Sequence, residues 1–251
     1  MANALCYLET SFRRFPDRCA VTDDCRSYSY AEFYRLSRRI GTGLARLTGP
    51  KQGVGVFLEK NADAVAAFFG IQWAGCFYSV LNTELPGPRL NQIAAQLGPA
   101  VIVTCRELLA QAEEIFPGQS LVCLEELAEI PEDDAALAAI QARAIDTDPL
   151  YVNFTSGSTG VPKGIVVSSR SVLDFIGCFT ELFGITEGDV IANQAPFDFD
   201  VSVKDIYSAM KAGATLAVVP RRLFSVPTEL MDFLCEKKAT TLIWAVSALC
   251  L

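Results

Sequence analysis

The stretch that organises this sequence reads YVNFTSGSTGVPKG and runs from residue 151 to residue 164. The apolar run at 150–154 predicts a short buried strand. The small residues after it combine hydroxyl donors with glycines, which let a backbone approach a ligand closely, and Lys163 adds a mobile positive charge. Converging backbone N–H groups and a cation suit an anion, so the stretch predicts a loop that binds a polyphosphate.

The loop does not follow the common nucleotide-binding patterns. Counting G-x-x-x-x-G-K-[ST] from Gly157 puts Pro162 in place of the second glycine and Gly164 in place of the Mg²⁺-binding hydroxyl. The kinase pattern G-x-G-x-x-G and the hydrolase pattern G-x-S-x-G fail as well. Composition alone therefore leaves a second interpretation open, in which the stretch is a flexible Ser/Gly surface loop.

Composition excludes several classes of function. The chain has 251 residues, of which 51% are hydrophobic and 20% are charged, so it is globular with a sizeable core. Its net charge of −8 argues against a nucleic-acid partner, and the lack of a long basic cluster argues against binding to an anionic membrane. A zinc site is disfavoured because the chain has neither C-x-x-C pairs nor histidine, and the absence of histidine excludes Ser-His and Cys-His catalysis.

The cysteines and the most apolar segment bear on localisation. Nine cysteines without a C-x-x-C pair, and a first segment that lacks the signal-peptide pattern, predict reduced thiols in a cytoplasmic protein. Residues 64–81 carry no charge, but glycines and polar residues interrupt them. We expect a buried helix followed by a buried strand there, and no insertion into a membrane.

Apolar runs alternate with amphipathic segments along the chain, at intervals of about 24 residues, which is typical of βαβ units. Because the strands are continuously apolar, the pattern predicts sheets covered on both faces. The expected fold is α/β, doubly wound, with mainly parallel sheets in two βαβ subdomains. Residues 1–147, ending in an acidic linker, form the first subdomain, and residues 148–251 form the second, which carries the phosphate loop.

Local signals predict individual elements. Ser29 and Glu32 have the spacing of a capping box at the start of a helix. A helix that opens at Ser171 is expected to bury Val172, Phe175, Phe179 and Leu182, and residues 240–246 are expected to form a final buried strand.

A second candidate site lies at 196–205, where a predicted strand ends just before a helix. In open α/β sheets that junction is where ligands bind. Two interpretations stay open for its carboxylates. Asp198 or Asp200 caps the helix, which stabilises it by about 1 kcal/mol, or a partly buried carboxylate is held for a cationic group of a substrate.

The wording of these stretches resembles a known family. Residues 155–164 match, nearly letter for letter, the phosphate loop of the adenylate-forming superfamily, which includes acyl-CoA synthetases, luciferases and amino-acid adenylation domains. Residues 199–203 resemble the F-D-x-S-V motif of amino-acid adenylation domains, residues 73–82 resemble their K-A-G-G-A-Y-V-P-L-D segment, and residues 27–33 resemble L-T-Y-x-E-L. The nearest likeness is to D-alanine–carrier protein ligases and the adenylation domains of non-ribosomal peptide synthetases.

The resemblance implies a two-step ligase. ATP with Mg²⁺ activates the carboxylate of an amino acid as aminoacyl-AMP, and the phosphopantetheine thiol of a carrier protein then takes the aminoacyl group. It implies that Asp200 holds the α-amino group, that Lys204 and Trp244 select the side chain, and that Thr159 is a hydroxyl near Mg²⁺. The residues implied for ATP are Thr155, Ser156, Gly157, Ser158, Thr159, Gly160 and Lys163.

Alternatives remain at three points. For Lys204, the alternative is a pair with Asp205 at the surface instead of a contact with the substrate. For Trp244, the alternative is that it is a plain core residue. The family's Y-G-P-T-E segment, its ribose-binding aspartate, its hinge and its catalytic lysine have no counterpart here, so we expect them beyond Leu251 and expect this chain to be inactive alone. An acyl-CoA synthetase and a non-catalytic nucleotide- or carrier-binding module are the rival functions.

Overall fold

A computed structural model describes residues 3–156 and 160–249 of the chain. The strands are β1 Cys19–Thr22, β2 Ser27–Ser29, β3 Gly53–Val56, β4 Phe77–Val80, β5 Val101–Thr104, β6 Leu121–Cys123, β7 Pro149–Ser156, β8 Pro162–Ser168, β9 Val190–Asn193 and β10 Thr215–Val218. The helices are α1 Leu5–Arg14, α2 Tyr30–Leu47, α3 Ala62–Trp73, α4 Gly87–Leu97, α5 Leu109–Ile115, α6 Leu124–Ala128, α7 Asp134–Gln141, α8 Ser169–Leu182, α9 Val201–Ala212, α10 Pro227–Glu236 and α11 Val246–Leu249, with a 3₁₀ turn at Arg221–Ser225.

The chain forms two compact units that are interleaved along the sequence. Unit 1 comprises Met1–Asn3, Arg35–Glu59 and Ala66–Ser171, and unit 2 comprises Ala4–Tyr34, Lys60–Val65 and Val172–Leu251. These units are defined by spatial contacts, whereas the division after residue 147 is a single cut in the sequence and stays a prediction.

Unit 1 contains a six-stranded sheet in the order β6-β5-β3-β4-β7-β8. Its neighbours pair in parallel from β6 to β7, which confirms the predicted α/β fold with mainly parallel strands. The edge pair differs, since β7 and β8 run antiparallel and form a hairpin. The predicted phosphate loop is therefore the tip of a hairpin and does not connect a strand to a helix.

Unit 2 contains a four-stranded sheet in the order β2-β1-β10-β9. The pairs β1·β10 and β10·β9 are parallel, and β1·β2 is antiparallel. The buried hydroxyl of Tyr30, at the start of α2, donates to the carbonyl oxygens of Ala209 and Ala214. These contacts tie the first part of the chain to the last.

Several local predictions are confirmed. The backbone N–H of Ser29 donates to Oε2 of Glu32 at 2.8 Å and the N–H of Glu32 donates to Oγ of Ser29 at 3.2 Å, so the capping box forms. The uncharged segment divides into α3 and β4, as expected. In the described part of the chain, no helix has the length and apolar character needed to span a bilayer.

Two predictions are wrong. Residues 240–246 do not form a strand, because Thr241 makes only an isolated bridge to Ile191 and Leu242 is exposed. On α8, Val172 is buried as predicted, but Phe175 and Leu182 are exposed, since the buried stripe continues through Ile176 and Thr180. The hydroxyl of Thr180 donates to the carbonyl of Ile176, which lets this polar residue occupy the buried face.

Helices α2 and α3 approach so closely in unit 1 that glycine is required between them. A Cβ on Gly70 would lie 2.3 Å from Cγ2 of Ile40. By contrast, a Cβ on Gly177 in α8 would meet nothing within 4 Å.

We expect Gly70→Ala to lower the free energy of unfolding by about 1–3 kcal/mol, because the added methyl overpacks the helix contact. Gly177→Ala is the matched control and should raise it by about 0.5–1 kcal/mol through helix propensity. Urea unfolding of both variants measures the difference. A Gly70→Ala variant as stable as the wild type would contradict the close packing of α2 on α3.

Candidate active site

The hairpin of unit 1 places two of the predicted phosphate ligands side by side. Thr155 pairs with Lys163 across the strands, one step before the tip. Residues directly opposite each other in an antiparallel pair project to the same face, and both side chains are exposed. Among the residues that the structure describes, Lys163 forms no ion pair. A hydroxyl donor and an ammonium group are thus presented together.

The rest of the predicted loop is only partly described. Gly157, Ser158 and Thr159 lie outside the described residues, as does the side chain of Ser156. Gly160 has φ +79°, a conformation that favours glycine.

An arginine that the sequence analysis missed holds this end of the loop. Nη1 of Arg89, in the first turn of α4, donates to the carbonyl oxygen of Gly160 at 3.1 Å. Arg89 therefore brings a second cation to the loop that carries Lys163. No sequence motif marks the pair, since the two residues of the contact are 71 positions apart.

Asp200 occupies the N-terminus of α9 in unit 2. It is the N-cap residue by position, but its side chain accepts no capping hydrogen bond, so the capping interpretation is wrong for Asp200. The side chain is exposed and not partly buried as expected. The positive end of the helix dipole favours a carboxylate at this point. Asp200 therefore presents a negative charge that is not used in a capping hydrogen bond.

Lys204 lies one turn further along α9. Its Nζ donates to Oδ1 of Asp205 at 3.0 Å, so the predicted pair forms. The predicted surface location is wrong, because Lys204 is 8% exposed and Asp205 is 1% exposed. Nδ2 of Asn193 donates to the other carboxylate oxygen of Asp205 at 2.9 Å. Burial raises the pKa of Asp205, against the opposing effect of Lys204 and Asn193.

Trp244 packs against the apolar cluster at the end of β9 and β10. Its Nε1 donates to the carbonyl oxygen of Ala192 at 2.7 Å, and its ring meets Phe224 edge-on with 5.4 Å between centroids. These are the contacts of a half-buried core residue with a satisfied indole N–H. A role for Trp244 in selecting a substrate stays a prediction.

A half-buried lysine lies at the carboxyl ends of the same two strands. Nζ of Lys60 donates to the carbonyl oxygens of Asn193, Gln194 and Val219 at 2.9, 3.0 and 2.9 Å. An ammonium group has three N–H donors, and all three are used. Burial lowers the pKa of Lys60 to about 7, with the Asp205 carboxylate acting in the opposite direction.

The carboxyl end of β9 is the meeting point of the unit 2 residues. Trp244 bonds Ala192, Lys60 bonds the backbone of Asn193, and the side chain of Asn193 bonds the Lys204–Asp205 pair. This end of a parallel sheet is where ligands bind in α/β folds. The structure therefore gathers Lys204 and Trp244 near the start of the segment that leads to Asp200, whereas Thr155, Gly160 and Lys163 belong to unit 1.

The chain matches a family model described as AMP-binding enzyme over residues 8–250. Among curated proteins it is 34% identical to phosphinothricin tripeptide synthetase PhsC of Streptomyces viridochromogenes, covering 96% of this chain and 22% of that protein. It is 28% identical to the D-alanine–D-alanyl carrier protein ligase of Lacticaseibacillus casei, covering 88% of this chain and 43% of the relative. The chain thus spans less than half the length of each.

Solved structures agree in fold. The chain superposes on the nonribosomal peptide synthetase FmoA3, in its AMPPNP-bound form, with a TM-score of 0.81 and 27% identity. The match covers 95% of this chain and 25% of that one.

Lys60 should make stability depend on pH above neutrality. A lysine titrates near 10.5 in an unfolded chain, whereas burial lowers the pKa of Lys60 to about 7. Between these values the unfolded state binds more protons, so the free energy of unfolding rises with pH and falls as the pH is lowered towards 7. The free energy of unfolding is measured with urea at several pH values. Between about pH 8 and pH 9, it should rise with pH more steeply in the wild type than in Lys60→Met, by up to about 1.4 kcal/mol per pH unit. Equal slopes would contradict a lowered pKa at this amine.

Proposed function

The chain belongs to the AMP-binding enzyme family, and from that premise we propose that the complete protein activates an amino acid with ATP and passes it to a carrier protein. The observation that carries the proposal is Asp200, an exposed carboxylate at a helix N-terminus whose side chain makes no capping bond. A primary ammonium group is the natural partner of such a charge, and acyl or aryl acids have none. The names of the relatives support an amino-acid substrate.

In the first proposed step, a carboxylate oxygen of the amino acid attacks the α-phosphorus of ATP. The bond from that phosphorus to the bridging oxygen breaks, aminoacyl-AMP forms and pyrophosphate leaves. The reactants are both anionic, so catalysis depends on positioning and on neutralising charge. We assign this work on the phosphates to Lys163 and Arg89 and to the loop residues Thr155, Ser156, Gly157, Ser158, Thr159 and Gly160.

Mg²⁺ fits this site as an ion bound mainly by ATP. No carboxylate occurs between residues 149 and 168, so the loop offers hydroxyl and backbone groups only. Mg²⁺ commonly takes few of its ligands from the protein and binds phosphate oxygens of the nucleotide instead. We propose Thr159 as its protein hydroxyl, and the ion would neutralise phosphate charge.

Asp200 holds the α-amino group in this proposal, and Lys204 and Trp244 limit the space for the side chain. The charge of Lys204 is already balanced by Asp205, so it gives no preference for an acidic substrate.

In the second proposed step, the thiolate of a phosphopantetheine arm attacks the acyl carbon of aminoacyl-AMP. A thioester forms and AMP leaves. The proposal concerns the complete protein, acting in the cytoplasm, because the chain spans less than half of its curated relatives.

Asp200→Asn should raise KM for the amino acid at least about tenfold, because a hydrogen bond to a charged group contributes about 1.5–3 kcal/mol. The measurement is amino-acid-dependent ATP–pyrophosphate exchange by the complete protein, across a panel of neutral, basic and acidic amino acids. Asp198→Asn, on the same segment, is the matched control and should leave KM within about twofold. Unchanged kinetics in Asp200→Asn would favour an acyl-CoA synthetase instead.

Lys163→Met should raise KM for ATP about tenfold and leave KM for the amino acid unchanged, since it removes a charge from the phosphate loop alone. Lys163→Arg keeps the charge and should recover part of the loss. The same exchange assay, run at varied ATP, gives both constants. If Lys163→Met binds ATP like the wild type, the stretch is the flexible surface loop of the alternative interpretation.

A further inference from the structure

Lys60 is fixed at a point where two strands end together. Asn193 and Val218 are paired in register at the ends of β9 and β10, and the N–H of Val219 donates to the carbonyl of Asn193. Just past these residues the ladder stops, and the carbonyl oxygens of Asn193, Gln194 and Val219 turn to the ammonium group of Lys60. The side chain of Lys60 thus supplies hydrogen bonds where the pairing of β9 and β10 ends.

The segment between β9 and α9 is held at both ends. At its start, Lys60 bonds the backbone of Asn193 and Gln194. At its end, Asp205 of α9 accepts from the side chain of Asn193. The residues in between, 194–200, contain Asp200 and include Phe197, whose ring centroid is 5.7 Å from Nζ of Lys60.

The backbone around Lys60 is equally constrained. Oδ1 of Asn61 accepts from the N–H of Ala64 and caps α3, and the N–H of Ala62 donates to Oδ2 of Asp23. Lys60 therefore extends from a helix start whose backbone is held by two side-chain acceptors.

An ammonium group is costly to desolvate even in part, and a sheet end does not ordinarily require one. Strand-end carbonyls more commonly bond water or a following turn. The contact of Lys60 is informative because it is made with Asn193 and Gln194, where the segment that carries Asp200 begins.

We propose that Lys60 is a positioning residue for amino-acid activation, which fixes the carboxyl ends of β9 and β10 and thereby sets the place of Asp200. This inference rests on the proposed function for its effect on kinetics. It predicts that Lys60 acts on the amino-acid side of the reaction only.

The test uses Lys60→Met in the complete protein, with Lys60→Gln as a second variant that retains donors if the first does not fold. KM for the amino acid should rise at least about tenfold in pyrophosphate exchange, while KM for ATP changes by less than about twofold. Lys211→Met is the matched control, because Nζ of Lys211 also bonds backbone carbonyls, those of Ile176 and Gly177 in α8. It should leave both constants unchanged.

Hydrogen exchange measured by mass spectrometry supplies a readout independent of activity. In Lys60→Met, peptides covering 194–200 and the amide of Val219 should exchange faster, while peptides covering 172–182 keep wild-type rates. Unchanged exchange at 194–200 would overturn the proposal. An unchanged KM for the amino acid, or an equal rise in both constants, would overturn it too.

A wild-type protein that activates no amino acid would contradict the proposed function instead. Hydrogen exchange at residues 194–200 would still decide whether Lys60 holds this segment.

Discussion

The candidate site of unit 2 is built around the contact between the half-buried amine of Lys60 and three carbonyl oxygens. Lys60 donates to the carbonyl oxygens of Asn193, Gln194 and Val219 where β9 and β10 end, and the Asn193 oxygen also accepts from the N–H of Val219. Each buried polar group left unpaired costs about 1–3 kcal/mol, so losing the amine would leave the strand ends poorly satisfied. The Asn193–Asp205–Lys204 network adjoins these strand ends, because Asn193 is the last residue of β9.

The hairpin in unit 1 solves a different problem. A loop rich in glycine has many conformations, whereas binding a phosphate group requires the loop to adopt few of them. The ladder between β7 and β8 continues to Ser156 and Pro162, so regular strands deliver the chain to the loop from both sides. Arg89 then holds the carbonyl of Gly160 from α4. Strand pairing and one long-range contact thus reduce the freedom that the glycines introduce, without removing the close approach that they permit.

Local chemistry was predictable from the sequence, whereas contacts between distant residues were not. The capping box of Ser29 and Glu32, the division of α3 from β4, and the parallel α/β pattern depend on neighbours in the chain. Lys60 and Asn193 are 133 positions apart, and nothing near either residue specifies the other. The exposed Phe175 on α8 shows a related limit, because two apolar stripes fit the helical period and only tertiary packing chooses between them.

Interleaving of the two units also determines the order in which the chain is completed during synthesis. Strand β1 is made early, but its partner β10, with which it pairs through Val21 and Leu216, follows after all of unit 1. At usual translation speeds this delay is on the order of 10 to 40 s. A two-stranded ribbon of β1 and β2 is marginal alone, so its open edge needs protection during that interval. On the ribosome, the four-stranded sheet therefore forms last although its first strand emerges first.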